Sequence, residues 1–184
     1  MRTKNKKTKN ILLIIDMQND FITGSLGSER ATEIIPNVEK TISLATINES
    51  KIIFTRDTHN KDTYLDTNEG KHLPVLHCIK DSFGWNIPTE LTSLVDEPIF
   101  IDKTTFGYNN WKNVIASDTD DGSDLNITIV GLCTDICVIS NALILKATFP
   151  EAKISVIENC CAGVSTESHN AAIVAMKSCQ ISII

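Results

Sequence analysis

Six short runs of β-branched and aliphatic residues, at positions 11–15, 51–55, 98–101, 126–130, 153–157 and 180–184, recur along this chain. Each is of strand length and mostly apolar at successive positions, the pattern of a parallel strand buried on both faces. Between them, positions 37–49, 110–116, 134–148 and 165–179 have helical spacing. The last has a clear start signal, since Ser165 or Thr166 can cap the orphan amides and Glu167 sits in the positively polarised first turn. Strands and helices in alternation imply right-handed crossovers. The expected fold is therefore α/β: a doubly wound, Rossmann-like, mainly parallel six-stranded sheet with helices on both faces. A chain of 184 residues that is 42% apolar can bury one sizeable core, so residues 11–184 are expected to form one domain.

Several function classes are disfavoured at this point. The net charge of -6 gives no reason to expect a nucleic-acid partner. Residues 1–10 are locally basic and read as a flexible tail. The apolar run behind them is cut short by Asp16 before it reaches signal-peptide length, and no stretch is long enough to span a bilayer. A cytoplasmic protein without a membrane partner is expected. Its six cysteines should then be free thiols, and no paired Cys-x2-Cys knuckles suggest structural zinc.

The chemistry-bearing residues cluster where strands end. Asp16 closes the first run, at the carboxyl end of a parallel strand, where such sheets bind ligands; capping the following turn is an equally good reading from position alone. Cys137 lies in Gly131-Leu132-Cys133-Thr134-Asp135-Ile136-Cys137-Val138, just after the fourth run, within the first turns of a helix. A thiol there is expected to be acidified by the helix dipole and by any nearby cation. Cys78, Cys160, Cys161 and Cys179 read as small apolar groups. Lys103 follows the third run and can reach the same crevice, where a cation would steady both a carboxylate and a thiolate. The long stretch from Arg56 to Leu94 lacks clear periodicity and holds three of the four histidines. Within it, Asp57 and His59 share one side of an extended segment, and with Glu69 and His77 they offer three or four ligands to a divalent ion. Asp20 reads as a turn residue, and 118–124 as an exposed turn.

Taken together, Asp16-Met17-Gln18-Asn19-Asp20-Phe21, Thr55-Arg56-Asp57-Thr58-His59, Leu73-Pro74-Val75-Leu76-His77-Cys78, Asp102-Lys103 with Phe106, and the Gly131–Val138 segment resemble the isochorismatase-like superfamily of cysteine hydrolases, which includes nicotinamidases. The resemblance runs from about Ile11 to Ile184. It implies an Asp16-Lys103-Cys137 triad and a cis bond between Leu132 and Cys133. The Cys133 and Cys137 amides would form an oxyanion hole, and Phe21 would pack on the substrate ring. It also implies a divalent ion, zinc, iron or manganese, at Asp57, His59 and His77. A further histidine six residues after the first is replaced by Leu65, and Glu69 is taken as the substitute ligand. The aromatic residue expected three positions before His77 is Pro74, so Trp85 or Tyr64 would have to close the pocket. Glu167, His169 and Met176 are taken as structural.

The implied activity is hydrolysis of nicotinamide to nicotinate and ammonia through a cysteine thioester. The alternatives are an amidase for another small amide or carbamoyl compound with the same triad, and, from a different class, a thiol redox sensor or silent scaffold. Isochorismate ether hydrolysis is disfavoured by the retained cysteine. Members of the superfamily commonly form homo-oligomers, and one is expected here.

Overall fold

The computed structural model describes residues 8–184. Six strands, β1 (Lys9–Ile15), β2 (Lys51–Asp57), β3 (Ile99–Lys103), β4 (Leu125–Leu132), β5 (Lys153–Ala162) and β6 (Ser182–Ile183), form one sheet in the order β3-β2-β1-β4-β5-β6. Every pairing is parallel. The helices are α1 (Asn19–Ile22), α2 (Glu29–Glu33), α3 (Ile35–Ile47), α4 (Asn68–His72), α5 (Thr89–Thr92), α6 (Trp111–Val114), α7 (Ile139–Thr148) and α8 (Thr166–Ser178).

The unbroken apolar character of β1 has a direct cause. Its alternate residues enter two different cores. Ile11, Leu13 and Ile15 pack with Trp111, Leu145 and Met176 beneath α6, α7 and α8. Leu12 and Ile14 pack with Val38, Ile42 and Leu91 beneath α2, α3 and α5. The sheet is thus covered on both faces, as its sequence pattern requires. Because β1 has β2 on one side and β4 on the other, the chain reverses its winding between β1 and β4, and a crevice opens beyond the carboxyl ends of those strands.

The elements depart from their expected bounds at several places. β3 runs through Lys103 rather than stopping at Ile101, and as an edge strand it leaves Ile99 and Phe100 each 38% exposed, not buried on both sides. β5 continues five residues past Ile157, through polar Glu158 and Asn159, because its far end pairs with Gly131 and Leu132. β6 has two residues and α6 a single turn. Positions 134–148 divide into a wide turn, Thr134–Val138, followed by α7. Ser165 is the cap of α8, accepting the Ser168 amide in a reciprocal capping box.

Of the basic tail expected over residues 1–10, residues 1–7 lie outside the described residues, whereas Lys9 and Asn10 belong to β1. The Lys9 ammonium sits 2.8 Å from Asp118 and 3.7 Å from Asp124. The turn at 118–124 is correspondingly not all exposed: Asp124 is buried. Its carboxylate accepts from the Ser117 hydroxyl at 2.5 Å, the Asp118 amide at 2.9 Å and the Thr119 hydroxyl at 2.9 Å. Burial alone would raise its pKa, but these bonds outweigh it and hold the group well below the usual carboxylate range. Asp124→Ala should therefore lower unfolding stability by about 1–3 kcal/mol at pH 7 in urea titrations. A depressed pKa contributes stability that is present above the unfolded value of about 4 and lost as the pH falls, so the gap from wild type should narrow in acid.

Candidate active site

Four strand ends supply the site. Asp16 follows β1 with φ of 48°, a left-handed conformation that aspartate tolerates better than bulkier residues, and its side chain is fully buried. On β2, Thr55 and Asp57 are two apart and share a face. The Thr55 hydroxyl donates to Asp16 Oδ1 at 2.6 Å and accepts the Asp16 amide at 3.2 Å. Lys103, the last residue of β3, is registered opposite Asp57. Its ammonium lies 2.6 Å from Asp16 Oδ2, 3.7 Å from Asp57 Oδ1 and 3.6 Å from Cys137 Sγ.

Cys137 arrives from the other half of the sheet. β4 bends at Gly131, where φ is 119° and a Cβ would collide with the backbone oxygen of Ile15, so only glycine lets β4 lie this close to β1. The Leu132–Cys133 peptide that follows is cis, as the resemblance implies. The next turn is wound one residue wider than an α-helix, with the Val138 amide donating to the Cys133 carbonyl at 3.0 Å. It is held from two sides. Asn141 donates to the Cys137 carbonyl at 2.8 Å and to the Phe106 carbonyl at 3.1 Å. His169 on α8 lies 2.9 Å from the Thr134 hydroxyl, which fits its expected structural role.

Electrostatics correct one expectation. The Cys137 thiol is not acidified: burial, reinforced by the Asp16 charge, pushes its pKa well above that of an ordinary cysteine, and Lys103 offsets this only in part. Burial also raises Asp16, against the pull of Lys103. Burial would strip the proton from Lys103, but the carboxylates of Asp16 and Asp57 more than restore it. The arrangement therefore places a buried thiol beside a buried carboxylate and a buried ammonium.

The second cluster also assembles. Ligand atoms of Asp57, His59, Glu69 and His77 all lie within 4.8 Å of one another. His59 Nε2 is 2.8 Å from Asp57 Oδ2 and 3.6 Å from Glu69 Oε1; His77 Nε2 is 3.6 Å from each of those oxygens. His77 Nδ1 sits 2.8 Å from the Val75 carbonyl, which leaves Nε2 to face the cluster. Burial works against the Asp57 charge, yet His59, His77 and Lys103 hold its carboxyl well below the usual range. Two imidazoles and two carboxylates whose ligand atoms converge this closely fit a borderline divalent ion such as zinc, iron or manganese. Asp57 thus faces the cluster with one oxygen and Lys103 with the other. His72 stays exposed, bonded to its own helix.

Both clusters open into one cavity of about 900 Å³, lined at its base by Cys133, Cys137, Asp57, His59, Glu69 and His77. Phe21 lines it too, its ring 5.6 Å from that of His77. Neither candidate for the missing aromatic closes the cavity. Tyr64 is buried behind the cluster, 4.7 Å from the His59 ring and 5.2 Å from the His77 ring, and its hydroxyl donates to the Leu73 carbonyl. Trp85 donates to Thr58 and lies under the Arg56 guanidinium at 3.7 Å. Pro74 is exposed and off the cavity wall.

Two positioning residues escape a reading of the sequence. The buried Gln18 side chain accepts the Asp57 amide at 2.7 Å and donates at 2.9 Å to the carbonyls of both Asp57 and Trp85. Asp20 accepts the Cys78 amide at 2.7 Å and the Ser25 amide at 3.3 Å, so it is more than a turn residue. Together they bind the loop after β1 to the histidine-bearing loop.

With this geometry in view, comparison with known proteins places the chain among hydrolases. A family model described as the isochorismatase domain matches residues 10–184. A nicotinamidase from Schizosaccharomyces pombe is 26% identical over 210 residues, covering 94% of this chain and 91% of its own. Among solved structures, a nicotinamidase/pyrazinamidase from Bacillus subtilis superposes with a TM-score of 0.79 at 23% identity, over 96% of this chain and 99% of its own. A pyrazinamidase of Pyrococcus horikoshii in complex with zinc gives 0.80 at 22% identity, over 96% and 98%. At these identities the two solved structures speak for the fold. A further expectation concerns the cluster: Glu69→Ala should weaken divalent metal binding at least about tenfold in competition with a chromophoric chelator, leaving the far-UV spectrum unchanged.

Proposed function

This chain belongs to the isochorismatase domain family, and from that premise we propose that it is a cysteine amidohydrolase releasing ammonia from the primary amide of a small heteroaromatic acid, nicotinamide foremost. One observation carries the reading: a single buried ammonium, on Lys103, touches both the Asp16 carboxylate and the Cys137 sulfur. A structural ion pair would have no use for a thiol at its side facing a cavity.

In this mechanism Asp16 takes the thiol proton as Cys137 Sγ attacks the amide carbon, forming the C–S bond and moving the carbonyl electrons onto oxygen. The Cys133 and Cys137 amides receive that oxyanion. As the C–N bond breaks, Asp16 returns its proton to the departing nitrogen and ammonia leaves, with the acyl group held as a thioester. A water then attacks the thioester carbon while Asp16 accepts its proton. The thiolate departs and is reprotonated by Asp16, completing the cycle. Lys103 keeps its charge throughout and steadies whichever of its two neighbours is anionic. Phe21 supports the ring. A divalent ion held by Asp57, His59, Glu69 and His77 would supply a Lewis acid for a substrate nitrogen or a water. Zinc in the Pyrococcus relative makes that metal a natural first choice.

A second reading, an amidase for another small amide or a carbamoyl compound, is favoured by Pro74, which stands where the superfamily pattern has an aromatic residue and lies off the cavity wall. Among the described residues no helix is long and apolar enough to cross a membrane. The same proposal includes a cytoplasmic setting, where six free thiols persist, and a homo-oligomer of the chain.

Ammonia release from nicotinamide by metal-loaded protein tests the function. Cys137→Ala should abolish turnover with metal content retained, and Asp16→Asn should lose at least about a hundredfold in kcat; full activity in either variant would refute its role. The pH profile follows from the sign of the Asp16 shift. Its raised pKa means that the base is lost to protonation above the 3.8 of an ordinary aspartate, so the acid limb of kcat at saturating metal should lie above pH 3.8.

A further inference from the structure

The cavity over Cys137 is larger than one flat ring requires. About 900 Å³ lies near the upper end of the range for pockets that enclose drug-sized ligands, whereas nicotinamide has only about nine non-hydrogen atoms. Two rings, Phe21 and Phe106, line the cavity, and the rest of its apolar wall is aliphatic, including Leu26, Leu73, Ile136 and Val164. These four come from four separate segments of the chain and line the same cavity as Cys137. Apolar side chains of this kind accept a flexible or bulky hydrocarbon more readily than they clamp a single plane.

The charges of the cavity are equally selective. Among the described residues, no lysine or arginine lines it. Lys103 is buried behind the cavity floor and committed to Asp16, Asp57 and Cys137. The charged groups that do face the cavity are Asp57 and Glu69, with the histidines around them, and the two carboxylates offset the charge of any divalent ion that they hold. A carboxylate or phosphate on the substrate would thus lose its hydration without gaining a cationic partner.

We infer, on the amidase reading above, that the preferred substrate is an uncharged primary amide whose ring carries an apolar extension, such as a chain of several carbons or a second ring, lying along Leu26, Leu73 and Ile136. Anionic amides are rejected. Burying a single methylene is worth roughly fourfold in binding, so a butyl chain has ample room to exceed a tenfold preference.

The test compares kcat/KM for ammonia release by the full, metal-loaded chain on nicotinamide, on its ring-butyl isomers, and on isosteres ending in a carboxylate. The expected result is at least one butyl isomer about tenfold or more better than nicotinamide, with its carboxylate counterpart at least tenfold worse than the butyl compound. Leu26→Trp should then cut the ratio of butyl isomer to nicotinamide, measured within the same variant, toward one. Leu73→Trp gives the same readout from another loop should the first variant fail to fold. Butyl isomers all at or below nicotinamide, or a carboxylate isostere matching its butyl counterpart, would overturn this inference and leave the amidase reading standing. No ammonia from any of the amides would overturn that reading itself.

Discussion

The buried ammonium of Lys103 is the interaction on which the rest depends. It stands two strands away from Asp16, a separation of about 10 Å between β3 and β1, with β2 between them. Only a long, flexible cationic side chain can cross the end of β2, meet Asp16 and still approach a sulfur delivered from beyond β4. The cost of removing three ionisable groups from water is large, and leaving one of a buried pair without its partner typically costs about 3–5 kcal/mol. The surrounding bonds limit that cost: Thr55 holds the second oxygen of Asp16, and Asp57 shares the cation. The arrangement is therefore costly to keep unless all of its members remain in place.

From that constraint the roles of the neighbouring segments follow. Asp57 faces Lys103 with one carboxylate oxygen and the two histidines with the other, so it links the Asp16–Lys103–Cys137 cluster to the histidine cluster. Gln18 acts toward Asp57 much as an extra strand would, satisfying both its amide and its carbonyl beyond the end of the sheet. Gly131 allows β4 to press against Ile15, and the wide turn after it carries Cys137 toward the ammonium. In the proposed mechanism the thiol needs its base at the moment of attack, so the closeness of Asp16 would be a kinetic requirement as well as an electrostatic one.

Much of this is legible in the sequence because parallel strands advertise themselves twice. Their apolar runs reveal where each begins, and the first polar residues after a run mark the carboxyl end of the strand; Asp16 is the first after its run and Lys103 the second, behind Asp102. The motif resemblance adds the cis peptide and the candidate ligand set, and the geometry gathers Glu69 with Asp57, His59 and His77 despite its altered spacing. The thiol's ionisation was out of reach, because the dipole of a helix start is visible in a sequence while the depth of burial that overrides it is not. Gln18 and Asn141 were missed for a related reason. Each acts through side-chain bonds to backbone groups tens of residues away, and such contacts leave no periodic mark. The length of β5 depends on pairing with the bent end of β4, again a tertiary effect.

The central claim is that Cys137 forms a bond to substrate carbon. It is tested most directly by quenching the metal-loaded protein in acid during turnover of a hydrolysed amide and mapping the peptides by mass spectrometry. The account predicts one acyl group in thioester linkage on Cys137 and on no other cysteine, absent from Cys137→Ala. Steady hydrolysis with Cys137 unmodified at every quench time, and undiminished in that variant, would contradict it.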